Sequence, residues 1–246
     1  MESKIRVTAV DYLNTKPLIW GFENGLMQNE IALTLDYPAN IAKMLVQNET
    51  DVGLLPVVNL QDMTDYHIIS DYCIAANSEV ASVCLLSQVP LQQIETILLD
   101  YQSRTSVALL KILLKKYWRI APHLQEAEPG YEKYISGNTA ALVIGDRALI
   151  LRNSTANVYD LATAWNEMTG LPFVFAAWVA NKKLSHYFIQ KFNEATGTGL
   201  VHIDEIVAAN PYPYYDLKVY YQRNIDYNFT KDKMEGLQYF LELLPK

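Results

Sequence analysis

Four consecutive residues, Ser103-Arg104-Thr105-Ser106, bring three hydroxyls and one guanidinium to the start of an apolar helical run. A helix start leaves its first N–H groups unpaired and carries the positive end of the peptide dipoles. Such a place suits an anion, and here the small polar side chains suit a carboxylate. A second polar turn, Tyr12-Leu13-Asn14-Thr15, stands before Lys16-Pro17. Asn14 or Thr15 serves there as an N-cap, and Pro17 fits a first helical turn. Two electropositive helix starts would together hold a dicarboxylate. Taken singly, Thr15 and Ser103 are also ordinary caps, whereas the run 103–106 holds more polar groups than capping needs. Asp100 and Asp146 end apolar strands, where they serve either chemistry or a turn.

The elements that must position these groups alternate. Ile5 to Val10 reads as a strand ahead of the first turn. Thr96 to Leu99 precedes the second, whose helix runs to about Trp118. Ala140 to Ile144 reads as a buried strand entering Gly145-Asp146-Arg147. Further strands are expected over 31–37, 51–57, 67–76, 79–86 and 173–180, and in the fourth of these Val80, Ser82 and Cys84 share a face. Helices are expected over 41–47, 185–195, 203–210 and 231–244. The order strand, polar turn, helix recurs around 11–18, 37–41, 100–106 and 144–148. It predicts an α/β chain of mixed sheets flanked by helices, with ligands outside the carboxyl ends of strands. Two lobes are expected, a discontinuous one over 1–87 plus 180–246 and a second over 88–179. Their crossings would fall near 86–90 and 176–182, with a ligand cleft between them.

Composition removes several classes. The chain has 246 residues, half of them hydrophobic, and a net charge of −7. An acidic chain without a basic run is a poor binder of nucleic acid. Cys73 and Cys84 form no C-x-x-C motif. His67, His123, His186 and His202 lack the spacing of a metal site. There is no phosphate-cradling glycine loop. No apolar run reaches membrane-spanning length, and the N-terminus has no apolar leader. The expectation is a cytoplasmic protein with a small-molecule ligand, no metal, no nucleic acid and no membrane. No Ser-His-Asp arrangement is visible, so the residues alone leave open an enzyme or a binding protein.

Several collinear runs resemble one family. They are Val10 to Leu18 with its Y-L-N-T-K-P-L core, Asp51 to Val57, Glu79 to Val83, Leu99 to Leu114 around S-R-T-S, Leu142 to Leu149, and Trp165 to Trp178. They are similar to the chorismate dehydratases of the futalosine route to menaquinone, which have a periplasmic-binding-protein-like fold of the second type. The resemblance implies loss of water from chorismate to give 3-[(1-carboxyvinyl)oxy]benzoate without a cofactor, by a substrate-assisted route. It implies that Asn14 orients the enolpyruvyl carboxylate or the departing hydroxyl, with Tyr12 and Thr15 beside it. Ser82 would hydrogen-bond a carboxylate, and Ser103, Thr105 and Ser106 would hold one at the helix start. Arg104 would either join them or point away and brace the lobe. Gly145 would let the backbone approach the ligand, and Asp146 would accept from its hydroxyl. Two alternatives are a non-catalytic solute-binding protein for a small carboxylate and the sister dihydroxynaphthoate synthase, which is expected to need a histidine in its polar turns.

Overall fold

A computed structural model describes residues 4–245. The chain divides into two compact units, one formed up to Ala75 and by Val174–Lys231, the other by Ala76–Phe173 and the chain from Asp232 onward. In chain order the first passage holds β1 (Ile5–Val10), α1 (Lys16–Glu23), β2 (Ile31–Asp36), α2 (Pro38–Val46), β3 (Val52–Pro56) and β4 (His67–Ala76). The second holds β5 (Val83–Ser87), β6 (Thr96–Leu99), α3 (Arg104–Leu113), β7 (His123–Glu126), β8 (Thr139–Ile144), α4 (Gly145–Leu151), β9 (Asn157–Asp160) and α5 (Leu161–Thr169). The return passage holds β10 (Phe173–Ala180), α6 (His186–Val201), α7 (Ile203–Ala209), α8 (Leu217–Val219) and β11 (Asp226–Asn228), and α9 (Lys231–Leu243) closes the chain.

Among the described residues, the first unit carries a sheet ordered β11-β4-β10-β3-β1-β2. β1 runs parallel to β2 and β3, and β10 antiparallel to β3. The near-continuous apolar runs of β3 and β10 are what burial on both faces selects, and both strands are almost wholly buried. The turn after β1 is fixed by how α1 packs. A Cβ at Gly21 would stand 2.2 Å from the Ala195 carbonyl oxygen, and one at Gly199 would stand 1.9 Å from that of Pro17. α1 and α6 therefore meet backbone to backbone. The sequence reading ends α6 at Ala195. The helix instead runs on to Val201, and its glycines are a contact surface. Gly199→Ala is expected to cost about 2–3 kcal/mol by overpacking, read as a lowered urea midpoint.

The second unit carries a sheet ordered β7-β6-β8-β5-β9, with β6 parallel to β7 and β8, and β5 antiparallel to β8 and β9. Three expectations change here. The strand expected from Glu79 begins only at Val83, because Ala81 takes a left-handed φ of 64° that bends the chain. β5 pairs with β8 and β9, so the break between units lies before it, at 75/76, and not near 86–90. α9 belongs to this unit and not to the first. Its Phe240 packs edge-on to Trp165 and Phe173, and its Gly236 lies under the Pro172 carbonyl.

Candidate functional site

The carboxyl ends of β6 and β8 lie side by side, because the two strands are parallel neighbours paired Ile97 with Ala140 and Leu98 with Ala141. The antiparallel β5 starts at that same end, pairing Val83 with Ile144. Three chain segments therefore share one edge of the second unit: the 100–106 turn, the 145–147 turn and the bend ending in Ser82. The Gly145 N–H donates to the Ser82 carbonyl over 2.7 Å, which ties two of them directly.

Ser103 is the N-cap of α3. Its extended backbone turns the side chain back so that Oγ accepts from the Ser106 N–H at 3.1 Å. The same hydroxyl donates to Ser106 Oγ at 2.8 Å. Ser106, having accepted, keeps its own hydroxyl proton to give. Thr105 and Ser106 are buried, while Arg104 is exposed on the first turn. This arrangement gathers N–H and O–H donors at a helix start, a chemistry that suits an anion. Gly145 has φ 63°, and a Cβ placed there would meet nothing within 4 Å. The glycine is needed for its backbone conformation, and that face of the turn stays open. Asp146 sits half-buried in the first turn of α4. The Ser82 hydroxyl is buried and reaches the Val80 carbonyl at 3.5 Å.

The first unit carries the other turn, at the carboxyl end of β1. Leu13–Thr15 form a 3₁₀ turn that leads straight into α1, and the Tyr12 carbonyl accepts from the Thr15 N–H at 3.0 Å. Thr15 is fully buried and stands at the N-cap position of α1, yet its side chain caps nothing. Its Oγ1 lies 3.5 Å from Asn14 Oδ1. Asn14 is half-buried, and its backbone carbonyl accepts from the Tyr227 hydroxyl at 3.0 Å. That bond fixes the backbone of the turn and leaves the Asn14 carboxamide to face its surroundings. Tyr12, Asn14 and Thr15 thus come together on one unit, and Ser82, Ser103–Ser106, Gly145 and Asp146 on the other.

Sequence reasoning offered Asp100 as a turn or catalytic residue but missed the Arg147 and Tyr131 side chains that hold it in the second turn. Asp100 is buried. Its Oδ2 accepts from Arg147 Nη2 at 2.7 Å and from the Tyr131 hydroxyl at 2.6 Å, and its Oδ1 accepts from the Gln102 N–H at 2.7 Å. Burial raises the Asp100 pKa even against these donors. Burial and the Asp100 charge push the Tyr131 hydroxyl far above its ordinary range. Asp100 is therefore a turn residue committed to its partners, not a general base. Asp160 caps α5 and accepts from the Val80 and Ala81 N–H groups at 3.2 and 2.8 Å, so it also pins the bend before Ser82. The signal available was an acidic residue, Asp100, directly after β6 and an arginine, Arg147, in the first turn of α4 just past β8. Nothing in the sequence pairs those residues across 47 positions.

Among the described residues, no cluster of three or more His, Cys, Asp or Glu could hold a metal ion, and no helix is long and apolar enough to cross a membrane. None of the four histidines falls in either turn.

Comparison with known proteins agrees with this architecture. The chain is 14% identical to a crystal structure of an Archaeoglobus fulgidus protein, with a TM-score of 0.74 over 98% of this chain and 97% of that one. It is 15% identical to the periplasmic aliphatic sulphonate binding protein SsuA from Escherichia coli, with a TM-score of 0.64 over 100% and 95%. These likenesses show a periplasmic-binding-protein-like fold. In sequence, the chain is 29% identical over 232 residues to the chorismate dehydratase of Thermus thermophilus, covering 84% of each. It is 26% identical over 190 residues to that of Campylobacter jejuni, covering 74% of this chain and 71% of the relative. A family model described as menaquinone biosynthesis matches residues 5–246, nearly the whole chain, and the chain therefore belongs to the menaquinone biosynthesis family.

Proposed function

We propose that the chain is a chorismate dehydratase, a carbon–oxygen lyase that converts chorismate to 3-[(1-carboxyvinyl)oxy]benzoate and water. The observation that carries this reading is its likeness, over most of both lengths, to two proteins named for that activity. The geometry supports it. Chorismate is a dicarboxylate, and each unit offers one polar helix start suited to a carboxylate.

The ring proton beside the ether passes to the substrate's own enolpyruvyl carboxylate. The neighbouring C–O bond breaks, and the departing hydroxyl takes that proton from the carboxyl group, leaving as water and restoring the carboxylate. The ring becomes aromatic, which supplies the driving force. The protein then needs no base of its own, in keeping with Asp100 and Asp160 being committed to structural partners. Its task is orientation and charge stabilisation. The Ser103 and Ser106 hydroxyls and the α3 N–H groups, with Thr105, hold one carboxylate, and Ser82 adds a donor. The Asn14 carboxamide, flanked by Tyr12 and Thr15, orients the enolpyruvyl carboxylate or the departing hydroxyl. Gly145 keeps its turn open to the ligand, and Asp146 accepts from the substrate hydroxyl. Arg104 lies on the exposed side of the first turn of α3.

The test is purified protein mixed with chorismate and no added cofactor, with products followed by chromatography. The expected product is the aromatic enolpyruvyl ether in step with chorismate loss. Chorismate that stays intact while the protein binds it tightly would overturn the reading in favour of a solute-binding protein.

A further inference from the structure

We infer that Arg147 is a positioning residue, holding the 100–103 turn so that the start of α3 meets a substrate carboxylate in one fixed orientation; this rests on the dehydratase reading. Arg147 projects from the first turn of α4, at the end of β8, towards the turn that ends the neighbouring β6. Its Nη2 donates to Asp100 Oδ2 at 2.7 Å and to Gln102 Oε1 at 2.9 Å, and its Nη1 to Glu132 Oε1 at 2.5 Å. Its guanidinium carbon lies 5.4 and 5.6 Å from the ring centroids of Tyr101 and Tyr131. The planar fork thus grips both residues that flank Tyr101 and stacks on Tyr101 itself. Ser103, the cap of α3, is the next residue after Gln102.

Two consequences follow. The turn cannot slide along the sheet edge without breaking several charge-assisted bonds at once. The buried Asp100 charge is also balanced, so an ionised side chain close in sequence to the start of α3 does not repel the ligand. Both carboxylates near Arg147 are already engaged with it, so its charge acts through the turn and not on the substrate. Lysine, a single point charge, keeps the balance but cannot bond all three partners.

The experiment measures kcat and KM for chorismate in folded, monodisperse Arg147→Met, Arg147→Lys and Asp100→Asn/Arg147→Met proteins beside the parent. Arg147→Met is expected to lose about a hundredfold in kcat/KM, mostly through KM, as a displaced positioning group does. Arg147→Lys is expected to recover about tenfold of that loss through the retained charge. The double variant, which removes the uncompensated carboxylate, is expected to have a lower KM than Arg147→Met. A merely structural role would lower the thermal midpoint of all three and leave KM of the folded protein unchanged. If Arg147→Met does not fold, the KM of Arg147→Lys decides, since it keeps the ion pair. An active parent with KM unchanged in the variants overturns this inference alone. A parent inert towards chorismate overturns the dehydratase reading and this inference together.

Discussion

Asn14→Asp is expected to abolish turnover of chorismate while leaving the protein folded. The substitution changes one atom and one charge. If the carboxamide orients a substrate carboxylate or a departing hydroxyl, the new carboxylate faces an anion. Two like charges about 4 Å apart at an effective dielectric near 20 repel by about 4 kcal/mol. That corresponds to about a thousandfold in rate. The fold should not notice. The long-range bond at this position, from the Tyr227 hydroxyl, goes to the Asn14 backbone carbonyl, and the side chain contacts Thr15 only at 3.5 Å. Substitution of a half-buried polar side chain with no stronger partner shifts stability by about 0.5 kcal/mol. The measurements are product formation by chromatography and the thermal midpoint of the same preparation. Turnover within about threefold of the parent, far short of that repulsion, would remove Asn14 from the chemistry.

The two helix starts were legible because each is a local signal. A polar turn between an apolar strand and an apolar helix needs no partner elsewhere in the chain to be recognised, and Ser103 caps α3 as its type and position predict. The long apolar strands β4 and β10 were legible for the same reason, and they span the predicted residues. The short strands β9 and β11 were not. Each is polar and brief, and it becomes a strand only by pairing with β5 or β4. The bend at Ala81 hid behind the alternation of 79–86. An alanine in the left-handed region is a tertiary outcome, imposed here by the Asp160 carboxylate on the Val80 and Ala81 N–H groups. The same holds for Arg147 and Asp100. Their residue types were visible, but the contact between them is set by which strands become neighbours, and periodicity says nothing of that.

Asp160 joins these themes and carries the largest expected effect on stability. Its Oδ1 accepts from the N–H groups of Ala162 and Thr163 at the start of α5, at 3.0 and 3.1 Å, and from that of Val80. Its Oδ2 accepts from Ala81. Asp160→Ala removes a helix cap worth about 1–2 kcal/mol and leaves two further buried N–H groups without a charged acceptor, so a total loss of about 3–5 kcal/mol is expected. Burial, working against these N–H donors, pushes the carboxyl up to a pKa of about 6 from an ordinary 3.8. The folded state therefore binds this proton more tightly than the unfolded state. The stability it contributes is fully present below about pH 4, falls as pH rises through about 6, and is level above that. A shift of this size corresponds to roughly 3 kcal/mol. Asp160→Asn keeps an acceptor for the start of α5 but sets an amide donor against the Ala81 N–H, so it should be less costly than alanine. It has no proton to exchange in this range. Urea titrations at intervals between pH 4.5 and 7 are expected to show the parent losing stability relative to Asp160→Asn as pH rises. Parallel stability curves for the two proteins would show that the carboxylate is held ionised throughout, with its four N–H donors outweighing burial.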